Sequence, residues 1–344
     1  MQLIGAYHLG WVEADGSAAD SSATDSSATD SSVAGGRKAG RGVPGARNGD
    51  DGGTAGAGRS GGGKLLRPGL VLAAAKAVAG PGTAGRAVLS AAAAVELAHN
   101  FTLLHDDLID RDRTRRHRPT AWTVFGAENA ILAGDAMLAL ALRLVAGELA
   151  GRLAECVIEI CDGQYDDCAF EQRDDVTLDE CLAMAGKKTA ALLGCACALG
   201  ASAVRAAPAA AAALEEFGRE IGIAFQLTDD LLGIWGDPVT TGKPVGSDLT
   251  ARKKSLPVVA ALSAGTAASE ELAELYALER NFTELELRRA ADAVERAGGR
   301  TWAAAEATAR VARAHAHLAK APGINQAAVR DLRAIADLIT RRTF

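Results

Sequence analysis

An all-α fold is what this sequence predicts, on three observations. Alanine, the strongest helix former, is abundant, while β-branched runs are scarce and aromatic residues make up only 4% of the chain. From Arg67 onward apolar residues recur at helical spacing, and no segment alternates with period two for long enough to argue a sheet. With 344 residues, 49% of them hydrophobic, the chain can bury a sizeable core as one large domain or two small ones.

The first stretch, residues 1–14, carries Leu3, Ile4, Tyr7, Leu9, Trp11 and Val12, enough apolar surface for a short piece that docks back on the body. Residues 15–62 form a low-complexity Ser/Ala/Gly/Asp segment with a near-repeat, Asp20-Ser21-Ser22-Ala23-Thr24 followed by Asp25-Ser26-Ser27-Ala28-Thr29. It holds too little apolar surface to offset the entropy of ordering it, so a disordered linker is expected. Such a tether with a sticky end could also recruit the protein to another assembly. The folded domain is expected over 63–344. Pro68 suits a first helical position and opens a helix over 67–79. Helical spacing then predicts helices over 84–112, 119–148, 151–168, 177–203, 209–235, 255–264 and 268–278. Gly298-Gly299 and Pro322-Gly323 separate the last three, over 283–297, 301–320 and 325–341.

A net charge of −6 argues against nucleic acid as the main partner. The bases are concentrated locally instead, at Arg111, Arg113, Arg115, Arg116 and Arg118, at Lys187 and Lys188, and at Arg252, Lys253 and Lys254. Bases beside acidic clusters suggest an anionic ligand brought in with a metal. Cysteines 156, 161, 168, 181, 195 and 197 lack zinc-type pairing and fall in helical segments, which points to thiols in a reducing compartment. No uninterrupted apolar run reaches membrane-spanning length, and residues 1–14 do not read as a signal peptide, so a cytoplasmic protein without a membrane span is expected.

Two aspartate clusters carry the chemistry: His105-Asp106-Asp107-Leu108-Ile109-Asp110 and Asp229-Asp230-Leu231-Leu232-Gly233. In apolar surroundings several carboxylates stay ionised only if a cation or hydrogen bonds compensate them. On a helix Asp106 and Asp110 are one turn apart and point the same way, with Asp107 to one side. Such a claw suits Mg²⁺, which takes one or two carboxylates and fills its other positions with water and phosphate oxygens. The plainer alternative for either cluster alone is a solvated helix end.

The ordered set Gly62-Gly63-Lys64-Leu65-Leu66-Arg67-Pro68, His99, Asp106-Asp107-xx-Asp110, Arg115-Arg116, Gly163-Gln164-xx-Asp167, Lys188-Thr189, Phe225-Gln226-xx-Asp229-Asp230, Gly242-Lys243, Gly246-Ser247-Asp248 and Lys253 resembles the trans-isoprenyl diphosphate synthases. The resemblance spans residues 62 to 342 and implies an isoprenoid-synthase-type bundle around a deep central cavity, usually as a homodimer. It implies head-to-tail condensation of isopentenyl diphosphate with an allylic diphosphate, dimethylallyl, geranyl or farnesyl. Asp106 and Asp110 would hold two Mg²⁺ ions and Asp229 a third, with Mn²⁺ able to substitute. Arg115, Lys188, Lys243 and Lys253 would grip the allylic diphosphate. Lys64, Arg67, His99 and Arg116 would form the isopentenyl diphosphate pocket, with Phe225 beside it. The Thr189 hydroxyl and Gln226 carbonyl oxygen can steady an allylic cation without trapping it. Released pyrophosphate would serve as the final base. Asp107, Asp167 and Asp230 are expected behind this first layer. His99 has a duller reading as a core histidine, and Lys64 and Arg67 as the end of the glycine linker. A P-loop at Gly58-xxxx-Gly63-Lys64 is rejected, because Leu65 stands where a metal-binding hydroxyl would be.

One residue departs from the pattern: Gly233 stands where many family members carry aspartate, one turn beyond Asp229. The third metal is still expected to bind through Asp229. Product length should follow from what blocks the growing tail, which gains about 5 Å, one helical turn, per five-carbon unit. Phe101 and Thr102 lie a turn below Asp106 and Ala98 a further turn down, an arrangement that resembles the geranylgeranyl type. C20 is the expected product, with C15 and C25 as alternatives. A class I terpene cyclase and a non-catalytic subunit are the competing readings. The first is disfavoured by Asp229-Asp230 and the Lys64, Arg67 and His99 set; Gly233 and the long tail motivate the second.

Overall fold

The computed structural model describes residues 1–19, 66–115, 118–237 and 245–340. Among these the fold is helical throughout, apart from one two-residue ribbon. Helix α1 (Gln2–His8) comes first, then α2 (Leu66–Ala79) and α3 (Arg86–Ile109). Strands β1 (Thr114–Arg115) and β2 (Arg118–Pro119) pair antiparallel, Thr114 with Pro119 and Arg115 with Arg118. Helices α4 (Ala121–Phe125), α5 (Ala127–Leu144), α6 (Glu148–Glu171) and α7 (Leu178–Ala185) follow. A π-helical turn, Gly186–Ala190, joins α7 to α8 (Ala191–Ala203), and α9 (Pro208–Trp235) is the longest helix. The chain closes with α10 (Ser247–Thr250), α11 (Leu256–Leu262), α12 (Ala267–Tyr276), α13 (Glu284–Arg296), α14 (Gly299–Lys320) and α15 (Arg330–Thr340).

Small side chains explain how closely these helices stack. Helix α9 packs against both α8 and α14, α3 packs against α2 and α5, and α2 packs against α8. The main core joins Leu70, Val95, Leu153, Leu193, Leu214, Phe217 and Ile221 with a filling of alanines. A second cluster around Leu227, Leu231, Leu256 and Val259 supports the C-terminal half of α9. Thr177 and Thr283 cap α7 and α13 with reciprocal bonds to Glu180 and Glu286. Helices α3 and the α7–α8 stretch, 178–203, are long and apolar enough to cross a membrane by composition, with 50% and 67% of their apolar windows buried in the bundle. All six cysteines are free thiols, four of them buried.

Four features differ from expectation, the first being that the last helix, expected over 325–341, starts only at Arg330, with turns before it. The helix predicted over 119–148 is broken at Gly126, whose φ of 90° lies in the left-handed region, so α4 and α5 meet at a corner. The helix predicted over 84–112 ends at Ile109, leaving Asp110 as its C-cap, and the chain then turns into the ribbon. The helix predicted over 177–203 contains the π turn, which apolar spacing does not reveal.

Candidate active site

Asp106 and Asp107 leave the last turn of α3, and Asp110 caps it. Asp107 points inward and is 1% exposed; its Oδ1 accepts from Arg115 Nε at 2.6 Å, so the ribbon is tied back to the helix end. Burial raises the Asp107 carboxyl, while Arg115 pulls it down. Burial likewise pushes Asp106 up to about 6, against the pull of Lys188 and with the help of Asp110. Asp110 is raised by the same desolvation, with Lys188 and Lys253 opposing. For all three the cost of desolvation outweighs the pull of the nearby bases, a burden that a divalent ion would relieve.

The facing wall comes from α6, the π turn and α9. Gly163 makes it possible: a Cβ there would lie 2.8 Å from Lys187 Cβ and 2.9 Å from Lys188 Cα, so only glycine lets α6 approach the π turn this closely. That approach sets Asp167 against Lys188 Nζ at 2.5 Å and Asp166 against Lys187 Nζ at 2.8 Å. The next residue, Thr189, donates from Oγ1 to Gln226 Oε1 at 2.7 Å. Gln226 Nε2 donates to Asp230 Oδ1 at 2.7 Å, and Asp230 Oδ2 accepts from the Leu256 backbone N–H at 3.0 Å. The relay fixes the amide with its oxygen towards Thr189. Burial pushes Asp230 up to about 7, against Lys253.

Lys253 joins the two acidic groups. Burial works against its charge, yet Asp230, Asp248, Asp167 and Asp229 outweigh it and hold the ammonium well above the ordinary lysine range. Since Lys253 also pulls on Asp110, it lies within Coulombic reach of a member of each cluster. Its neighbours have structural work: Arg252 donates to the Tyr276 carbonyl at 2.8 Å, and Lys254 Nζ to the Phe170 carbonyl at 2.9 Å. A small cleft opens here, lined among others by Asp167, Lys188, Thr189, Gln226, Asp230 and Lys253.

Asp229 is exposed, and Phe225 is half-buried against the main core. On α3, Phe101 is buried and its ring meets His105 edge-on at 5.3 Å, Ala98 is fully buried, and Thr102 Oγ1 donates to the His99 carbonyl at 2.8 Å. His99 is half-buried and Arg67 is buried on α2. Lys64, Arg116 and Lys243 lie outside the described residues. Sequence reasoning did not place Asp248 where it stands, with its carboxyl against the Cα of Gly233. The signal was available: a glycine where the helix face calls for a side chain leaves room for one arriving from elsewhere.

Among the described residues no three His, Cys, Asp or Glu side chains come close enough to hold a metal ion by themselves. That arrangement still fits Mg²⁺, which binds through one or two carboxylates and completes its shell with substrate phosphate and water.

The profile of the polyprenyl synthetase family matches residues 57–294. The chain belongs to this family. It is 51% identical to the geranylgeranyl diphosphate synthase of Mycobacterium tuberculosis over 245 residues, 69% of each chain. It is also 47% identical to the (2E,6E)-farnesyl diphosphate synthase of that organism over 255 residues, 71% of this chain and 70% of the relative. The polyprenyl synthetase of Streptomyces coelicolor A3(2) has the same fold, with a TM-score of 0.80 at 40% identity over 98% of this chain and 91% of that one. As a polyprenyl synthetase this chain is a trans-prenyltransferase, and its helical bundle is the family's.

Proposed function

We propose that the enzyme condenses isopentenyl diphosphate with an allylic diphosphate and that its main product is geranylgeranyl diphosphate. The observation that supports this reading is Lys253, whose charge acts on Asp110 from the first aspartate cluster and on Asp229 and Asp230 from the second. Asp106, Asp110 and Asp229 would hold three Mg²⁺ ions, and Mg²⁺ when bound would neutralise the departing diphosphate so that its carbon–oxygen bond can break. Lys188, Lys253 and Arg115 grip the allylic diphosphate, with Lys243 completing the set. Thr189 and Gln226 then present oxygen to the allylic cation, and Asp230 holds the Gln226 amide in that orientation. Isopentenyl diphosphate sits on Lys64, Arg67, His99 and Arg116, beside Phe225.

The C20 assignment rests on Phe101, Thr102 and Ala98, and the 51% identity to a geranylgeranyl diphosphate synthase supports it. The 47% identity to a farnesyl diphosphate synthase keeps C15 as the second reading. We further propose a homodimer, with the chain beyond residue 19 linking the docked N-terminal piece to the catalytic bundle; residues 15–19, expected in the linker, belong to the docked piece. The test is chromatography of products from the purified chain supplied with dimethylallyl, geranyl or farnesyl diphosphate, with and without isopentenyl diphosphate. Geranylgeranyl diphosphate formed only with isopentenyl diphosphate is the expected result. Farnesyl diphosphate as the end product would overturn the C20 reading, and hydrocarbon release without isopentenyl diphosphate would overturn the reaction.

A further inference from the structure

We propose that residues 1–19 are a positioning strap for the diphosphate site: through Tyr7 and Arg118 they fix the ribbon that holds Arg115 against Asp107. The proposal rests on the reading above that Arg115 binds the allylic diphosphate.

A helix as short as α1 has no stability of its own in water, so contacts must hold it. Ile4 and Tyr7 are buried, 6% and 5% exposed, and Ile4 shares a cluster with Phe101, Leu104, Ala121, Ala133, Met137 and Val157. The Tyr7 ring meets Phe125 edge-on at 5.2 Å, and its hydroxyl donates to the Pro119 carbonyl at 3.0 Å. Beyond α1 the chain doubles back in a tight turn, with Val12 bridged to Ala18 and Glu13 N–H donating to the Ser17 carbonyl at 2.8 Å.

Arg118 is where this segment takes hold of the ribbon. Its guanidinium sits over the Tyr7 ring, 4.5 Å from the centroid. It donates to the carbonyls of Tyr7 at 3.3 Å and Val12 at 3.0 Å and pairs with Glu13 at 3.3 Å. A ring, two carbonyls and a carboxylate, all from the N-terminal segment, thus surround one side chain of β2. The cross-strand partner of Arg118 is Arg115, and Arg115 reaches Asp107 in the first aspartate cluster. A ribbon of two residues a side has little stability alone. On its other flank it is held by Thr120 Oγ1 and Trp122 Nε1, which donate to the Asp112 carbonyl at 2.8 Å and 2.7 Å. Losing the strap should therefore loosen the ribbon while leaving the bundle folded.

The experiment uses the full chain with Tyr7→Leu, Tyr7→Phe and Arg118→Met. Steady-state kinetics with geranyl diphosphate, calorimetric binding of inorganic pyrophosphate in Mg²⁺, and amide exchange at Thr114 and Arg115 are compared with wild type. For Tyr7→Leu and Arg118→Met, the KM for the allylic substrate and the pyrophosphate Kd should both rise roughly tenfold while kcat changes less than about threefold, as expected when a desolvated cation–π contact is lost. Exchange at the ribbon amides should quicken while α8 and α9 keep their protection. Tyr7→Phe keeps the ring and loses only the Pro119 bond, so about a twofold rise is expected, and it decides the matter if Tyr7→Leu loses protection globally. Wild-type KM and ribbon exchange in the Tyr7 variants would overturn the strap. An effect of Arg118→Met without any effect of Tyr7→Leu would also overturn it, because Arg118 would then be touching substrate itself. Absence of prenyl transfer by the wild-type chain would instead count against the functional reading, since pyrophosphate binding and ribbon exchange report on the strap separately.

Discussion

The carboxyl of Asp248, carried by α10, lies directly over the Cα of Gly233 on α9, so that a Cβ added there would fall 2.8 Å from Asp248 Oδ1 and closer still to the rest of the group. Gly233 is one turn beyond Asp229, the position at which the resemblance leads one to expect a carboxylate on α9 itself. Here the volume is already filled by a carboxylate from a different helix. Restoring aspartate at this position should therefore damage the protein. Gly233→Asp is expected to lower stability by about 1–3 kcal/mol, the usual cost of overpacking, and to weaken Mg²⁺-dependent pyrophosphate binding. Adding Asp248→Ala should recover most of the loss. Urea denaturation of wild type, single and double variant measures this, and a single variant as stable as wild type would remove the conflict.

Asp230 is a buried carboxylate that acts on the Lys253 charge, and its energetics follow from burial. Asp230 is 3% exposed, holds the Gln226 amide and the Leu256 N–H, and faces the Lys253 charge. Asp230→Ala would leave the Gln226 amide and the Leu256 N–H without their shared acceptor and would take a balancing charge from Lys253. A loss of about 1–3 kcal/mol is expected, the cost of leaving buried donors unsatisfied. Asp230→Asn keeps the volume but can turn its amide donor towards Gln226. A fall in kcat with a smaller loss of stability should follow, read by kinetics beside thermal unfolding.

How far the sequence disclosed this site depends on which force places each residue. The bundle was legible because helical spacing of small apolar residues is a local pattern, and Asp106 and Asp110 could be set on one face because they share one helix. Lys188 and Thr189 could be named, but not the π turn that carries them, nor the close approach of α6 to that turn at Gly163. Arg252, Lys253 and Lys254 look equivalent in sequence, yet it is Lys253 whose charge acts on both Asp110 and Asp230. The positive φ of 50° at Arg252 and its bond to the Tyr276 carbonyl turn the neighbours to other tasks. Such divisions are decided by tertiary contacts that no local pattern records.

Lys188 owes its position to Asp167, and both side chains are about one-fifth exposed, at 20% and 19%. Asp167→Asn removes the opposing charge while keeping the shape. The ammonium should become less fixed, and the KM for the allylic diphosphate should rise about three- to tenfold with little change in unfolding temperature. An unchanged KM in steady-state assays would show that Asp167 does not set the position of Lys188.

Asp106 shows a conflict between function and stability. Its carboxyl is raised to about 6 because burial disfavours the charged form. Asp106→Asn removes that burden, so the metal-free protein should gain stability on the order of 1 kcal/mol. Turnover should fall about 10³-fold or more, the scale of several kcal/mol of lost metal stabilisation. Chelation of divalent ions should abolish turnover of the wild type, and added Mg²⁺ should restore it. Denaturant titration and product formation on the same preparations decide between these expectations and a purely structural Asp106.

Phe101 tests whether the cavity floor limits product length. The ring is 5% exposed and packs edge-on against His105, within the cluster that contains Ile4, Leu104 and Met137. Truncating it removes a packing element and, on the proposed reading, the wall that would stop the tail. Phe101→Ala should cost about 3–5 kcal/mol of stability, the range for a buried aromatic. It should also let the tail extend by at least one five-carbon unit, about 5 Å of depth. Phe101→Leu keeps most of the volume, so it should be milder on both counts and separate the two effects. If chromatography shows the same product from both variants and wild type at a temperature where all three are folded, the floor lies elsewhere. The neighbouring wall formed by Ile4 of the N-terminal helix would then be the next place to look, since it belongs to the same cluster.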